Sequence, residues 1–334
     1  MNCQCPFPKK RTLANNVKYR HSAPNVFPHK IKCKRQNNWQ IAATVFDLVC
    51  RNKFKTIMNT TIIHISDLHF HTYPQNFRDW KSKRILGAAN LLFRRKRQFP
   101  LQRAKRLVEQ IQKMNWDHLV ISGDLTQLAL EKGFSRARKT LEPLLTDPER
   151  VTVIPGNHDR YVSQAAGTDL FSQYFGEFFG KKEIHVRKLN SDWVIIGWDS
   201  AHPNDWLSAS GTVRRSTIQA TADLLQSCPK QTQFIIVNHY PLTFPEGWNY
   251  DRFHELYNLV PVRDWILRHP QIRLYLHGHI HKNWIHRLPR DSGPELLLLN
   301  SAASTSTLRS GQVSSFHRIE LENGNVKVSP ILLN

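Results

Sequence analysis

The chain has 334 residues, 40% hydrophobic and 10% aromatic, which excludes a disordered protein and allows one large domain or two modest ones with a sizeable core. A formal charge of +21 excludes indifference to phosphates, whether on nucleic acid, on lipid headgroups or on a charged substrate. No run approaches the roughly 18 apolar residues that a membrane-spanning helix needs.

Residues 1–57 hold 12 Lys or Arg and one acidic residue, Asp47, so this segment carries +11 and the remaining chain +10. It lacks sustained periodicity and the apolar stretch of a secretory signal, although a basic, acid-poor make-up is compatible with a transit peptide. Four of the five cysteines (Cys3, Cys5, Cys33, Cys50) fall here, at spacings that match no zinc pattern. The segment is expected to be a disordered extension or to follow a start codon assigned too early, with Met58 as the true start and a single domain over 58–334. Only Cys228 lies in that body, so no disulfide framework is expected, which suits a reducing cytoplasm.

From residue 61 short apolar runs alternate with helical patterns. TIIHI (61–65) reads as a buried strand, and LQRAKRLVEQIQKM (101–114) as an amphipathic helix with apolar residues three and four apart. HLVIS (118–122) is a strand, LALEKGFSRARKTLEPLL (128–145) a helix and VTVI (151–154) a strand. FSQYFGEFFGKK (171–182) is either a lid or a helix packed on the core. WVIIG (193–197), a helix near 214–226, QFIIV (233–237), the helix VRDWILRH (262–269) and RLYL (273–276) follow. ELLLL (295–299), SSFHRIEL (314–321) and VKVSPILL (326–333) close the chain as strands, with NGN (323–325) as a turn. The pattern is α/β: two mixed β-sheets stacked on each other with helices outside.

Chemistry-bearing residues stand directly behind five of these strands. TIIHI leads into Ser66-Asp67-Leu68-His69, LVI into Ser122-Gly123-Asp124, and VTVI into Pro155-Gly156-Asn157-His158-Asp159. FIIV leads into Asn238-His239, and RLYL into His277-Gly278-His279-Ile280-His281. In α/β folds, sites form at the carboxyl ends of strands. Carboxylates, imidazoles and an amide oxygen without thiolate suit borderline divalent ions such as Mn²⁺, Fe²⁺ or Zn²⁺. Residues i and i+2 of an extended chain face the same way, so Asp67 with His69, and His279 with His281, are expected to reach common ions. A single DxH or GD is mostly a turn, and a lone histidine behind a strand is mostly a satisfied core residue. All five in this order, each behind an apolar run, are not explained that way. Neither a GxSxG elbow nor a Walker motif is present, and Ser301–Ser304 reads as a turn or site wall.

D-x-H, G-D, G-N-H-D, H and G-H-x-H in this order resemble the calcineurin-like metallophosphoesterase superfamily, over roughly residues 60–320. The resemblance implies a four-layer αββα fold and two divalent metal ions, Mn²⁺ first, with Fe²⁺ or Zn²⁺ as alternatives. It implies that Asp67, His69, Asp124 and His281 hold one ion. Asp124 would bridge to a second, held also by Asn157, His239 and His279. His158 would face the transferring phosphoryl group and assist the leaving oxygen, and Asp159 would orient His158 through a hydrogen bond.

The superfamily motifs leave the phosphate ester open. Between Asp67 and Asp124 lie 56 residues, more than a helix and a strand require. The excess, about 77–100, includes SKRILGAANLLFRRKRQF (82–99), with six basic residues and no acidic one. Its apolar residues fall approximately on one helical face, flanked by Arg84 and by Arg94, Arg95, Lys96 and Arg97. A basic amphipathic helix is a membrane-surface element, a core-packed helix with a solvated basic end, or a nucleic-acid groove. The insert resembles that of the UDP-2,3-diacylglucosamine pyrophosphatases of chlamydia-like bacteria, which act in lipid A synthesis. That resemblance implies hydrolysis to UMP and 2,3-diacylglucosamine 1-phosphate, an amphiphilic substrate, an anionic membrane surface as partner and no protein partner. It places the protein in the cytoplasm, peripheral on the inner membrane. The alternatives are a cyclic-nucleotide or general phosphodiesterase, and a basic nucleic-acid-binding protein with a structural metal site.

Overall fold

The computed structural model describes residues 59–73, 98–160, 169–180, 183–203, 208–248, 254–301, 304–307 and 314–333. The amino-terminal segment and most of the basic insert, with Arg84, Arg94, Arg95, Lys96 and Arg97, lie outside the described residues.

Among the described residues, eleven strands form two sheets. The first contains β1 (Thr60–Ile65), β2 (His118–Ile121), β3 (Val151–Val153), β10 (Ser315–Glu322) and β11 (Asn325–Leu332), in the order β11-β10-β1-β2-β3. The second contains β4 (His185–Lys188), β5 (Trp193–Gly197), β6 (Gln233–Val237), β7 (Ile272–His277), β8 (Asn283–Leu288) and β9 (Leu296–Ser301), in the order β4-β5-β6-β7-β9-β8. In each sheet the strands that lead to the chemical motifs are parallel (β1, β2 and β3; β6 and β7), so their carboxyl ends share one edge. Antiparallel β10 and β4 flank these parallel cores, and Asn323 and Gly324, both at positive φ, close the β10–β11 hairpin as the NGN signal requires.

Among the described residues the α-helices are α1 (Leu101–Gln112), α2 (Glu131–Leu141), α3 (Leu170–Phe175), α4 (Arg215–Ser227) and α5 (Leu259–Leu267). Strand parity shows how the layers stack. Trp193 and Ile195 of β5, Ile235 and Val237 of β6, and Leu274 and Leu276 of β7 join Ile63 and Ile65 of β1 in one core. The alternate residues Val194, Ile196, Phe234, Ile236 and Tyr275 pack with Leu224, Leu225, Val262 and Ile266 of α4 and α5 in a second. Both faces of these strands are buried, so they read as continuous apolar runs. Burying each such side chain contributes roughly 1.5–3 kcal/mol.

The elements depart from expectation in places. α2 starts at Glu131 rather than 128, because Ala129 sits at φ 49° and the chain through Leu128–Leu130 is buried before the helix begins. α5 starts at Leu259, ahead of Pro261, since proline fits the first helical turn, where no intrahelical N–H bond is lost. In the 171–180 stretch, Phe171, Phe175, Phe178 and Phe179 are buried in the first core, so it is a packed segment and not a lid.

Candidate metal centre

The five motif turns converge at the carboxyl edge and are laced together by backbone hydrogen bonds. Asp67 N–H donates to Gly123 O (3.1 Å), His69 N–H to Asp124 O (3.0 Å), and Gly278 N–H to His239 O (3.1 Å). The segment after β9 joins them, with Ser304 N–H on Ser66 O (3.2 Å) and Ser66 N–H on Ser304 Oγ (3.1 Å). Two approaches demand glycine: a Cβ on Gly156 would strike the Asp124 carboxylate, and one on Gly278 the side chains of Ser66 and Asp67.

The ligands are not delivered by an extended chain, as the i, i+2 argument expected. Asp67, His69, Asp124, His279 and His281 all occupy the left-handed region, with φ of 54°, 47°, 54°, 77° and 47°. They make up five of the seven non-glycine residues with positive φ among those described. The chain curls as it leaves each strand, and this curl sets His69 beside Asp67 but parts the other expected pair, sending His281 to Asp67 and His69, and His279 to Asn157 and His239. Such a conformation costs roughly 1–2 kcal/mol per residue, and it concentrates where function requires it.

The side chains form two groups joined by one carboxylate. In the first, His69 Nε2 lies 2.9 Å from His281 Nε2, 3.8 Å from Asp67 Oδ1 and 3.7 Å from Asp124 Oδ2, while His281 Nε2 is 3.2 Å from Asp67 Oδ1. Ligand atoms of Asp67, His69, Asp124 and His281 all fall within 4.8 Å of one another, a set that can hold a metal ion. In the second, His239 Nε2 lies 3.5 Å from Asp124 Oδ1 and 3.1 Å from Asn157 Oδ1. His279 Nδ1 is 3.0 Å from Asn157 Oδ1 and 3.2 Å from His239 Nε2. One Asp124 oxygen thus faces each group.

Hydrogen bonds outside the cluster fix which nitrogens face it. His239 donates Nδ1–H to Ser122 O (2.8 Å), which turns Nε2 toward the cluster, and His279 donates Nε2–H to His254 O (2.8 Å), which turns Nδ1 toward it. Two imidazole nitrogens, an amide oxygen and a carboxylate oxygen therefore converge, an arrangement that is stable only around positive charge, supplied by a proton or by a cation. The same demand appears in the titration of the ring. Burial opposes a charge on His239, but the Asp124 carboxylate outweighs it and lifts the pKa to about 9. Burial likewise pushes Asp124 up, and the charges of His239 and His158 more than reverse this, holding it well below the usual range. The donor set, oxygen and nitrogen without sulfur, fits divalent cations of the borderline class.

His158 stands beside the first group, its ring 5.0 Å from that of His69. Its backbone N–H donates to Asp124 Oδ1 (2.8 Å), and its Nδ1–H donates to the main-chain carbonyl of Gln127 (2.8 Å), which makes Nε2 the basic nitrogen. Asp159 does not orient it through a hydrogen bond, contrary to expectation. The carboxylate is buried and consumed by Leu125 N–H (3.0 Å), Thr126 N–H (2.8 Å), Thr126 Oγ–H (3.0 Å) and Gly156 N–H (3.0 Å). Burial and the neighbouring Asp124 charge raise its pKa to about 6 against the pull of those donors. Asp159 binds the second and third turns together, and Gln127 performs the orienting role that sequence reasoning missed, because a main-chain acceptor leaves no residue signature.

Phe99 was also missed. The last residue of the basic stretch is buried, with its ring 4.5 Å from that of His69 and 5.6 Å from that of His281. The carbonyl of Gln98, just before it, accepts from Thr307 N–H (2.7 Å). The carboxyl end of the insert is therefore pinned against the first ligand group.

Known proteins show related sequences and folds. The family described as Calcineurin-like phosphoesterase matches residues 60–283. A protein of Ruthia magnifica subsp. Calyptogena magnifica named "Probable cyclic nucleotide phosphodiesterase" is 27% identical over 180 residues, 53% of this chain and 68% of the relative. The "3',5'-cyclic-nucleotide phosphodiesterase alr5338" of Nostoc sp. is 27% identical over 173 residues, 50% of this chain and 57% of the relative. A dimetal phosphatase from Danio rerio shares the fold with a TM-score of 0.51 at 14% identity, over 82% of this chain and 99% of that one.

Proposed function

The chain belongs to the calcineurin-like phosphoesterase family, hydrolases of phosphoester bonds, and from that premise we propose a dimetal phosphodiester hydrolase built on the cluster around Asp124. The observation that carries this reading is the convergence of imidazole nitrogens and ligand oxygens on both sides of the Asp124 carboxylate. Asp67, His69, Asp124 and His281 would hold one ion, and Asp124, Asn157, His239 and His279 the other, with Mn²⁺ as the first candidate and Fe²⁺ or Zn²⁺ as alternatives. Ions held there would supply the positive charge that stabilises an in-line displacement at phosphorus. His158, with Nδ1–H fixed on Gln127 O, would act as general acid in its imidazolium form, giving the Nε2 proton to the leaving oxygen and returning to the neutral ring. Asp159 contributes by holding the turns that carry Asp124 and His158 in register. A non-ligand histidine fixed this way has no place in a purely structural metal site, which disfavours the nucleic-acid-binding alternative.

For the substrate we propose UDP-2,3-diacylglucosamine, cleaved to UMP and 2,3-diacylglucosamine 1-phosphate, by a protein that works in the cytoplasm at an anionic inner-membrane surface. Two features support this: the net charge of +21 and the attachment of the basic insert to the first ligand group through Phe99. No helix among the described residues is long and apolar enough to cross a membrane. The curated relatives favour a second reading, cyclic-nucleotide hydrolysis. Mn²⁺-loaded protein incubated in parallel with UDP-2,3-diacylglucosamine and cyclic AMP separates the two. UMP release far exceeding AMP release is expected, and turnover of cyclic AMP alone would replace the first reading with the second.

A further inference from the structure

We infer that Tyr257, backed by His202, is a stacking platform for the nucleobase of the substrate. The inference rests on the substrate being a nucleotide, which both readings above share.

Tyr257 is 67% exposed, the largest exposure among the large hydrophobic side chains described, yet its main chain is tied down. Its N–H donates to Gly211 O (2.9 Å), Gly211 N–H donates to Glu255 O (3.1 Å), and the next residue, Asn258, exchanges two side-chain hydrogen bonds with Val213 (3.2 and 2.8 Å). The ring itself lies nearly parallel to that of His202, at 8° with centroids 6.3 Å apart, within the range of offset aromatic pairs. His202 is fixed in turn: Nδ1–H donates to Pro203 O (3.2 Å) and Nε2 accepts from Thr212 Oγ–H (3.2 Å). One aromatic ring is thus held in place by another, with most of its surface open to solvent.

Contiguous contacts connect this platform to the second ligand group. The ring of Tyr240 packs 4.8 Å from that of His279 and 5.3 Å from that of His239, and its hydroxyl donates to Ser210 O (3.0 Å), next to Gly211. A second route runs through His254, whose carbonyl accepts from His279 and which precedes Tyr257 by three residues, at most about 11 Å of chain. Two short routes of contacts thus lead from the second ligand group to Tyr257, and a nucleotide would lie along them, its phosphate at the ligand group and its base on the ring. Stacking accepts any base, because every base has a π-face, so the platform binds uracil or adenine alike.

The test uses Mn²⁺-loaded full-length protein and calorimetric titration with UMP and with ribose 5-phosphate, which differs only in lacking the base. UMP is expected to bind between about 5-fold and 150-fold more tightly. Tyr257→Ala is expected to remove most of that advantage and Tyr257→Trp to keep it, with bound manganese unchanged in both. Equal binding of UMP and ribose 5-phosphate by the unmodified protein would overturn the inference, and so would an equal loss of both in Tyr257→Ala. So would weaker binding of Tyr257→Ala to phosphatidylglycerol vesicles with UMP affinity unchanged, which would make this surface a bilayer contact. Failure to hydrolyse any nucleotide ester while UMP still binds through Tyr257 would instead overturn the proposed reaction and leave the platform standing.

Discussion

Asp124 Oδ1 accepts the backbone N–H of His158 at 2.8 Å, so the carboxylate shared by both ligand groups also sets the position of the histidine beside them. Asp124→Asn keeps an acceptor for that bond and removes the charge that the converging nitrogens need. The expected outcome is a loss of metal affinity of at least about 100-fold, since even supporting contacts to ligands are worth 10- to 100-fold. Metal analysis of the purified variant checks this, and full retention of two ions would refute the shared-ligand assignment.

His158→Gln separates catalysis from metal holding. Turnover of a soluble diester is expected to fall by about 10²- to 10⁴-fold with both ions retained. Gln127→Ala leaves the main-chain acceptor of His158 Nδ1 in place, and its turnover should stay within a few-fold of the unmodified protein. Large losses in both would mean that the Gln127 side chain, not its carbonyl, orients His158.

Asp159→Ala strands four buried donors of the second and third turns. Each stranded donor costs about 1–3 kcal/mol, although partial relaxation makes the sum smaller than four separate costs. A loss of about 3 kcal/mol or more is expected, visible in denaturant midpoints and accompanied by lower turnover as His158 shifts. Stability within experimental error of the parent would show that water satisfies those donors.

Acid sensitivity should arise from buried histidines far from the metal centre. Burial, followed by nearby positive groups, lowers His118 to about 3, with its Nε2 2.9 Å from Thr152 Oγ1, and lowers His185 to about 4. Unfolded, each titrates near 6.5, so between 6.5 and the folded value only the unfolded chain takes up the proton. Their stabilising effect is complete above pH 6.5 and is lost as pH falls toward 4 and 3, at about 1.4 kcal/mol per pH unit for each residue. His118→Gln, which keeps a partner for Thr152, should flatten the dependence of the denaturation midpoint on pH; an unchanged slope would assign the acid response elsewhere.

Charge removal tests the insert. Changing Arg94, Arg95, Lys96 and Arg97 to Gln should weaken binding to anionic vesicles by roughly 1 kcal/mol per residue, about fivefold each. Lipid turnover should fall with it while a small soluble diester is spared. Parallel loss on both substrates would make the stretch scaffold.

Residue type and order made the ligand turns legible: Asp, His and Asn directly behind five apolar strands name both the sheet edge and the chemistry. Main-chain features were less so. The left-handed curl at Asp67 and His281 is imposed by tertiary convergence and not by local preference, so an extended i, i+2 geometry was the wrong mechanism for the right residues. Asp159 carries a carboxylate that sequence assigns to its neighbour and structure assigns to two separate stretches of backbone, Leu125–Thr126 and Gly156. β4, with the sequence HVRK, and β8, with NWIHRL and its partly exposed residues, lie at the edges of their sheet, where little burial is required and the apolar signal fades. Phe99 gave no sign of its place because nothing local distinguishes an aromatic that ends a helix from one that packs on a distant histidine.

His69 and His281 meet although 212 positions separate them. The ligands come from strands of both sheets, so the cluster has no local precursor and closes only after the sheets have docked. Long-range closure of this kind comes late in folding, because the entropy of the intervening chain must be overcome first. During synthesis the first ligands leave the ribosome long before the last exist. The centre is therefore loaded into an essentially finished fold, unlike small zinc domains in which the metal organises the chain. A chelated protein should accordingly refold from denaturant at close to its normal rate and unfold faster, a kinetic asymmetry that marks the metal as a lock on the native state and not as its template.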